Sequence, residues 1–192
     1  VKGDIRKENH CKKIVQKAIK EFGSVDILVN NAAFQMSRET IMEIPTEEWI
    51  KTFDTNIHPM FYLCKAAVPH MKKGSSIINT TSVNAYNPSE VLLPYAATKG
   101  AIQNFTSNLS QILLLQGTGI RVNAVAPGPV WTPLKYLRPH RAKSPTIISS
   151  TLILITGRKI SSPRSCTKFP TLPVIRIPCP VLKPRCTGIF PT

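Results

Sequence analysis

Gly23-Ser24-Val25-Asp26-Ile27-Leu28-Val29-Asn30-Asn31-Ala32-Ala33 is the stretch on which the fold turns. Val25 to Val29 runs almost continuously apolar, as a strand buried on both faces of a parallel sheet does. Upstream, Cys11, Ile14, Val15, Ala18 and Phe22 fall at i, i+3, i+4, i+7 and i+11, with Lys12, Lys13, Lys17 and Lys20 on the other face. That spacing predicts an amphipathic helix, which Gly23 can end. Asn30 to Ala33 form the exit of the strand.

Downstream the alternation repeats. After Pro45 and Thr46, which suit a helix start, Ile50, Phe53, Ile57, Phe61, Cys64, Val68 and Met71 recur at steps of three and four, predicting one long helix that Gly74 stops. Ile77-Ile78 begins a second buried strand, and a loop rich in Asn, Pro and Ser runs from Ser82 to about Pro94. Tyr95 opens a helix whose buried face is Ile102, Phe105, Leu109, Ile112 and Leu113; Gly117 or Gly119 breaks it before the strand Ile120 to Val125. Strand alternating with helix implies right-handed crossovers, a parallel sheet with helices on both faces, and ligands gathered past the carboxyl ends of the strands. Asn31, Ser82 and Pro127 lie at such ends.

The 192 residues suffice for one domain with a core. The net charge of +15 is uneven: residues 1–134 hold 14 Lys or Arg against 10 Asp or Glu, whereas residues 135–192 hold 11 Lys or Arg and no acid. Proline divides likewise, 8 before the boundary near Leu134 and 9 after it, so residues 1–134 read as the folded domain and 135–192 as a basic, Pro-rich, irregular tail. The tail lacks the interleaved aromatics that stack on bases, having only Tyr136, Phe169 and Phe190, which argues against nucleic-acid binding. Five cysteines without a C-x-x-C pair argue against a disulfide framework or zinc site and for reduced thiols in the cytoplasm; Cys11 and Cys64 read as core. The longest apolar stretch, around Ile147 to Ile155, is too short to span a bilayer, so no membrane role is expected. The triplets beginning at Asn79, Asn104 and Asn108 read as chance glycosylation matches, the four histidines as surface or structural, and Trp49 and Trp131 as packing residues.

Chemistry concentrates in four positions. Tyr95 and Lys99, in Tyr95-Ala96-Ala97-Thr98-Lys99, stand one helical turn apart on one face. A phenol has an unperturbed pKa of roughly 10 and shuttles protons near neutrality only if an adjacent cation favours its ionised form. Ser82 lies thirteen residues upstream and Asn56 further back.

In this combination Asn30-Asn31-Ala32, Asn56, Ser82, Tyr95 with Lys99, and Pro127-Gly128 followed by Thr132 resemble the short-chain dehydrogenase/reductase family, in order from Asp4 to Leu134. The runs Ile78 to Tyr86 and Tyr95 to Ile102 are similar to its glucose- and ribitol-dehydrogenase-like branch. The resemblance implies a Rossmann-type doubly wound α/β fold and hydride transfer between NAD or NADP and a sugar, polyol or related alcohol or carbonyl. It also implies roles. Tyr95 would be the acid/base, Ser82 would polarise the substrate oxygen, Lys99 would lower the Tyr95 pKa and hold the nicotinamide ribose, and Asn56 would position a water relaying protons to Lys99. Asp4 would meet the adenine amine with Ile5 beside it, Asn31 would sit against the adenosine ribose, Val130 and Thr132 would hold the nicotinamide carboxamide, and Pro127 and Gly128 would shape that loop.

Two departures stand out. No glycine-rich G-x-x-x-G-x-G turn is present and the first two strands are missing, so the expectation is a weak cofactor site, marginal stability and an exposed apolar edge at Val25 to Val29. An exposed edge or basic tail also leaves room for a different reading, a non-catalytic fragment that pairs with a second chain, and a homo-oligomer is in keeping with it. The tail shows neither the helical segment nor the last strand of the family. One hypothesis for its acid-free composition is translation through an intron or in a shifted frame; peptide mass spectrometry of the native protein then finds no fragment from Lys135 to Thr192, and abundant ones would sink it.

Overall fold

The computed structural model describes residues 1–128 and the backbone of 146–148 and 153–155. Helix α1 (Glu8–Phe22) buries Cys11, Ile14, Val15 and Ala18 as its spacing requires, while Phe22 turns outward. Gly23 ends it in the left-handed region at φ 82°, its N–H donating to the Ile19 carbonyl at 2.7 Å. Strand β1 (Ile27–Asn30) follows, then the short β2 (Ala33–Gln35) where the sequence suggested only an exit.

The long helix expected from Ile50 to Met71 is two helices, α2 (Thr46–Asn56) and α3 (His58–Ala67), followed by a single 3-10 turn at Val68–His70. Pro59 is the cause. It has no N–H to give, and its ring would strike the carbonyl four residues back if one helix ran through. The apolar period passes through the break undisturbed, so periodicity alone could not locate it. Strand β3 (Ser76–Thr80), helix α4 (Leu93–Leu115, with Pro94 in its first turn) and strand β4 (Arg121–Val125) complete the alternation.

Strand β1 pairs with β3, and β3 with β4, both parallel, with Leu28 beside Ile77 and Ile77 beside Val122. Burial alternates along them: Leu28, Asn30, Ile77, Asn79 and Val122 are buried, and their neighbours are half-buried or exposed. The burial on both faces read from Val25 to Val29 therefore does not hold among the described residues. One face packs on α1, α3 and α4 through Cys11, Ile14, Val15, Met60, Leu63, Cys64, Ile102 and Leu113. No described helix is long and apolar enough to cross a membrane.

Two short strands lie within residues 135–192, β5 (Thr146–Ile148) and β6 (Ile153–Ile155), and they correct one expectation. Strand β6 pairs antiparallel with β1, Leu154 opposite Leu28, so the edge expected to be exposed is covered. Strand β5 pairs antiparallel with β2, Ile147 opposite Phe34. Short β-branched runs too brief to show a period still extend readily, and an unpaired edge offers them a row of hydrogen-bonding groups.

A buried polar ladder ties sheet to helix. Asn30 Nδ2 donates to Asn79 Oδ1 at 2.8 Å, Asn79 Nδ2 to Thr106 Oγ1 at 2.9 Å, and Thr106 Oγ1 to the Ile102 carbonyl at 2.7 Å. Asn79 is wholly buried. Replacing it with alanine removes the donor that Thr106 Oγ1 accepts from and the oxygen acceptor of Asn30 Nδ2, leaving them only the Ile102 carbonyl and the Cys64 sulfur, at a cost of about 2 to 4 kcal/mol. Urea unfolding of Asn79→Ala measures this, and a loss near zero would show that the ladder carries no stability.

Candidate functional site

Strand β3 ends at Thr80, and the next residues are fixed by local bonds. Ser82 is in extended backbone and its Oγ accepts from the Asn84 N–H at 3.2 Å, capping the 3-10 turn Val83–Ala85. Val83 N–H donates to the Pro127 carbonyl at 3.1 Å, which brings the Pro127–Gly128 loop beside Ser82. Arg38 connects the loop after β2 to the one before α4: its N–H donates to the Val91 carbonyl at 2.9 Å, and its guanidinium pairs with the buried Glu48 carboxylate.

Helix α4 delivers Tyr95 and Lys99 to the same place. The Ser82 hydroxyl hydrogen-bonds the Tyr95 phenol, and Lys99 Nζ lies 5.2 Å from the centroid of the Tyr95 ring. Lys99 is only 2 % exposed, with Nζ donating to the Thr80 carbonyl at 2.7 Å; in return Thr81 Oγ1 donates to the Lys99 carbonyl at 2.8 Å. Phenol, ammonium and hydroxyl thus converge at the carboxyl end of β3.

The electrostatics differ from the expectation that Lys99 depresses Tyr95. Burial pushes the Tyr95 phenol above its ordinary value, and the Ser82 hydrogen bond pulls it part of the way back. Burial also holds Lys99 down at about 8, with no carboxylate among the described residues offsetting it.

Asn56, the last residue of α2, hydrogen-bonds through both ends of its amide. Its Oδ1 accepts from the Phe34 N–H at 2.6 Å, and its Nδ2 donates to the Phe34 carbonyl at 3.0 Å and to Thr98 Oγ1 at 2.9 Å. The side chain therefore clamps β2 to α4. Sequence reasoning passed over Thr98 and Thr81. The available signal for Thr98 was its hydroxyl three residues after Tyr95, where it can bond back to that carbonyl.

A cavity of about 610 Å³ opens beside this cluster, lined among others by Ile5, His10, Asn30, Asn31, Asn56 and Thr80. Of the expected nucleotide residues, Ile5 and Asn31 face it. Asp4 does not line it, its carboxylate instead gripping the Arg6 guanidinium at 2.8 Å, which holds the carboxyl below its usual range. Among the described residues the buried side-chain atoms without a hydrogen-bond partner are His10 Nε2 and Asn30 Oδ1, both on residues lining this cavity. Pro127 and Gly128 are exposed; Val130 and Thr132 lie outside the described residues. His58, assigned no partner from sequence, bonds Asp54 through Nδ1 at 2.8 Å on the surface. Cys64 is buried against Asn30 Nδ2 and its thiol is pushed up to about 12, and Cys11 to about 11, so neither is a nucleophile near neutrality.

The comparisons agree with one another. The model of the short chain dehydrogenase family matches residues 1–142. An uncharacterized oxidoreductase, YhxC, of Bacillus subtilis is 56 % identical over 134 residues, and a glucose and ribitol dehydrogenase of Daucus carota 51 % identical over 134; each match covers 70 % of this chain, and they cover 46 % and 45 % of the respective relatives. The chain thus spans about half the length of the curated relatives it matches. Among solved structures, a glucose/ribitol dehydrogenase from Brucella melitensis aligns at TM-score 0.62 with 36 % identity, over 67 % of this chain and 53 % of that one. A 3-ketoacyl-(acyl-carrier-protein) reductase from the same organism, complexed with NADH, aligns at TM-score 0.62 with 30 % identity, over 67 % and 55 %.

The buried lysine makes stability depend on pH. An ammonium whose folded pKa, about 8, lies below its ordinary 10.5 holds its proton less tightly when folded. Its contribution is therefore least favourable below about pH 8 and improves as pH rises through that value toward the unfolded one. Lys99→Met should flatten this rise, by up to roughly 3 kcal/mol between about pH 7 and about pH 10. Denaturant unfolding of both proteins across that range checks it; parallel curves would contradict the burial of the charge.

Proposed function

We propose, on the premise that the chain belongs to the short-chain dehydrogenase family, that its Ser82–Tyr95–Lys99 cluster serves an NAD- or NADP-dependent oxidoreductase acting on a sugar, polyol or related alcohol or carbonyl. The single observation that carries this reading is the convergence of the Ser82 hydroxyl and the Lys99 ammonium on Tyr95 at the end of β3. The branch of the family, and with it the substrate class, rests on the likeness to the glucose and ribitol dehydrogenases.

The donor set fits a nicotinamide nucleotide. Lys99 Nζ and the Tyr95 hydroxyl suit the diol of a ribose, and the cavity holding Ile5, Asn31 and the unpartnered Asn30 Oδ1 and His10 Nε2 suits the far half of such a molecule. Pro127 and Gly128 would shape the site of the carboxamide, and Val130 and Thr132, outside the described residues, are proposed to hold it. When bound, the nicotinamide supplies or receives the hydride.

The protein's own groups handle the proton. During reduction the Tyr95 phenol gives its proton to the carbonyl oxygen, and during oxidation the phenolate takes it from the alcohol. Burial raises the Tyr95 pKa, so the phenol keeps its proton near neutrality and is ready to act as acid. Ser82 donates a hydrogen bond to the same substrate oxygen, which favours the developing charge there. Lys99 at Nζ, charged below about pH 8, favours the phenolate once the proton has left. Asn56 is assigned to a water relay toward Lys99 in this reading, in addition to the clamp its side chain makes on Phe34 and Thr98.

Turnover is followed by nicotinamide absorbance with NAD and NADP in turn, using glucose and ribitol as probes. Tyr95→Phe should reduce kcat by about 10²- to 10⁴-fold, the usual contribution of a positioned acid/base, while cofactor binding by calorimetry stays close to wild type. Unchanged turnover in that variant, or none in the wild type with either cofactor, refutes the assignment.

A further inference from the structure

We propose that Thr98 is a positioning residue for the catalytic row, fixing which way the Asn56 amide faces and where the first turn of α4 lies. The claim rests on the dehydrogenase reading above for its effect on turnover, but its geometry stands independently.

Thr98 is wholly buried. Its hydroxyl has one proton, and that proton goes to the Tyr95 carbonyl at 2.7 Å. Toward Asn56, 2.9 Å away, the same oxygen can therefore only accept. The group facing it must be the Asn56 N–H, which leaves Oδ1 for the Phe34 N–H and the second Nδ2 proton for the Phe34 carbonyl. A flipped amide would set oxygen against oxygen at Thr98, and the Phe34 N–H against Nδ2. The Thr98 hydroxyl and the Phe34 backbone thus demand the same orientation of the Asn56 amide, in a set of four hydrogen bonds joining α4, α2 and β2.

The consequence reaches the site because the acceptor of that proton is the backbone of Tyr95 itself. Thr98 holds the turn at its beginning, while Thr81 and Lys99 hold it at its end through the Lys99 and Thr80 carbonyls. Small misplacements of a reacting group are costly in rate even where folding is retained. Valine in place of Thr98 keeps the shape and removes both the donor and the acceptor; serine keeps both and loses only a methyl group.

The test compares Thr98→Val and Thr98→Ser in the full chain, with circular dichroism to confirm folding; if the valine variant does not fold, Thr98→Ala, which also lacks donor and acceptor, replaces it under the same criteria. Amide hydrogen exchange of Phe34 should accelerate at least about tenfold in Thr98→Val, with the Ile77 amide in β3 unchanged and Thr98→Ser like wild type. In the turnover assay kcat should fall about tenfold or more with KM for the nicotinamide cofactor unchanged, again restored by serine. Wild-type exchange at Phe34 overturns the orienting role, and faster exchange with wild-type kcat overturns the catalytic consequence. A wild-type chain without turnover sinks the dehydrogenase reading instead, and the Phe34 exchange then still decides whether Thr98 holds Asn56.

Discussion

A lysine ammonium enclosed by protein has to exchange its water shell for protein oxygens, and among the described residues Lys99 finds the Thr80 carbonyl at 2.7 Å. Much of the local architecture follows from that need. The carbonyl is free to accept because β3 finishes there, and helix α4 must approach the strand end closely enough for Nζ to reach it. Thr81 returns the bond onto the Lys99 backbone, so strand end and helix start are locked from both sides. Burying a cation without a carboxylate weakens its hold on the proton, which is how a side chain with an ordinary value of 10.5 comes to titrate at about 8.

The other buried polar groups have the same logic. Asn30, Asn79 and Thr106 run from β1 through β3 to α4, and Asn56 and Thr98 run from β2 to the turn bearing Tyr95. Apolar packing of Leu28, Ile77, Ile102 and Leu113 tolerates small slips between elements, whereas directional bonds in a water-excluded interior do not. The core supplies cohesion and the amides supply alignment. Where that second network is incomplete, at Asn30 Oδ1 and His10 Nε2, the structure opens into its cavity.

How much of this could be read from the sequence depended on the range of the interaction. Helix α1, strand β1 and the buried face of α4 were legible because their signals are local: a 3.6-residue stripe in each helix and a short apolar run in the strand. Tyr95, Lys99 and Ser82 were legible as a set because, with Asn56 and the Asn30-Asn31 strand exit, they resemble the pattern of the short-chain dehydrogenase family. The break before Pro59 was hidden because the apolar stripe continues across it. Alternating burial in β1 was hidden because Ile27 and Val29 are as apolar as Leu28. Thr98 looked like filler between two notable residues; its value comes from Asn56, 42 positions away in sequence. The tail strands were missed for a similar reason, since three residues make no period and their partners β1 and β2 lie far upstream.

That late pairing has a bearing on how the chain reaches its folded state. Strands β1, β3 and β4 are joined by helices and can assemble while synthesis is still under way, but β6 must travel back from the far end of the described chain before Leu154 can meet Leu28. Closing so large a loop carries an entropic cost that grows only slowly with length, yet it delays contacts of high sequence separation. Among the described residues β6 is the strand on that flank of Ile27–Asn30, so until it arrives the pairing groups there lack this partner, and transiently unpaired strand edges are prone to misassociation.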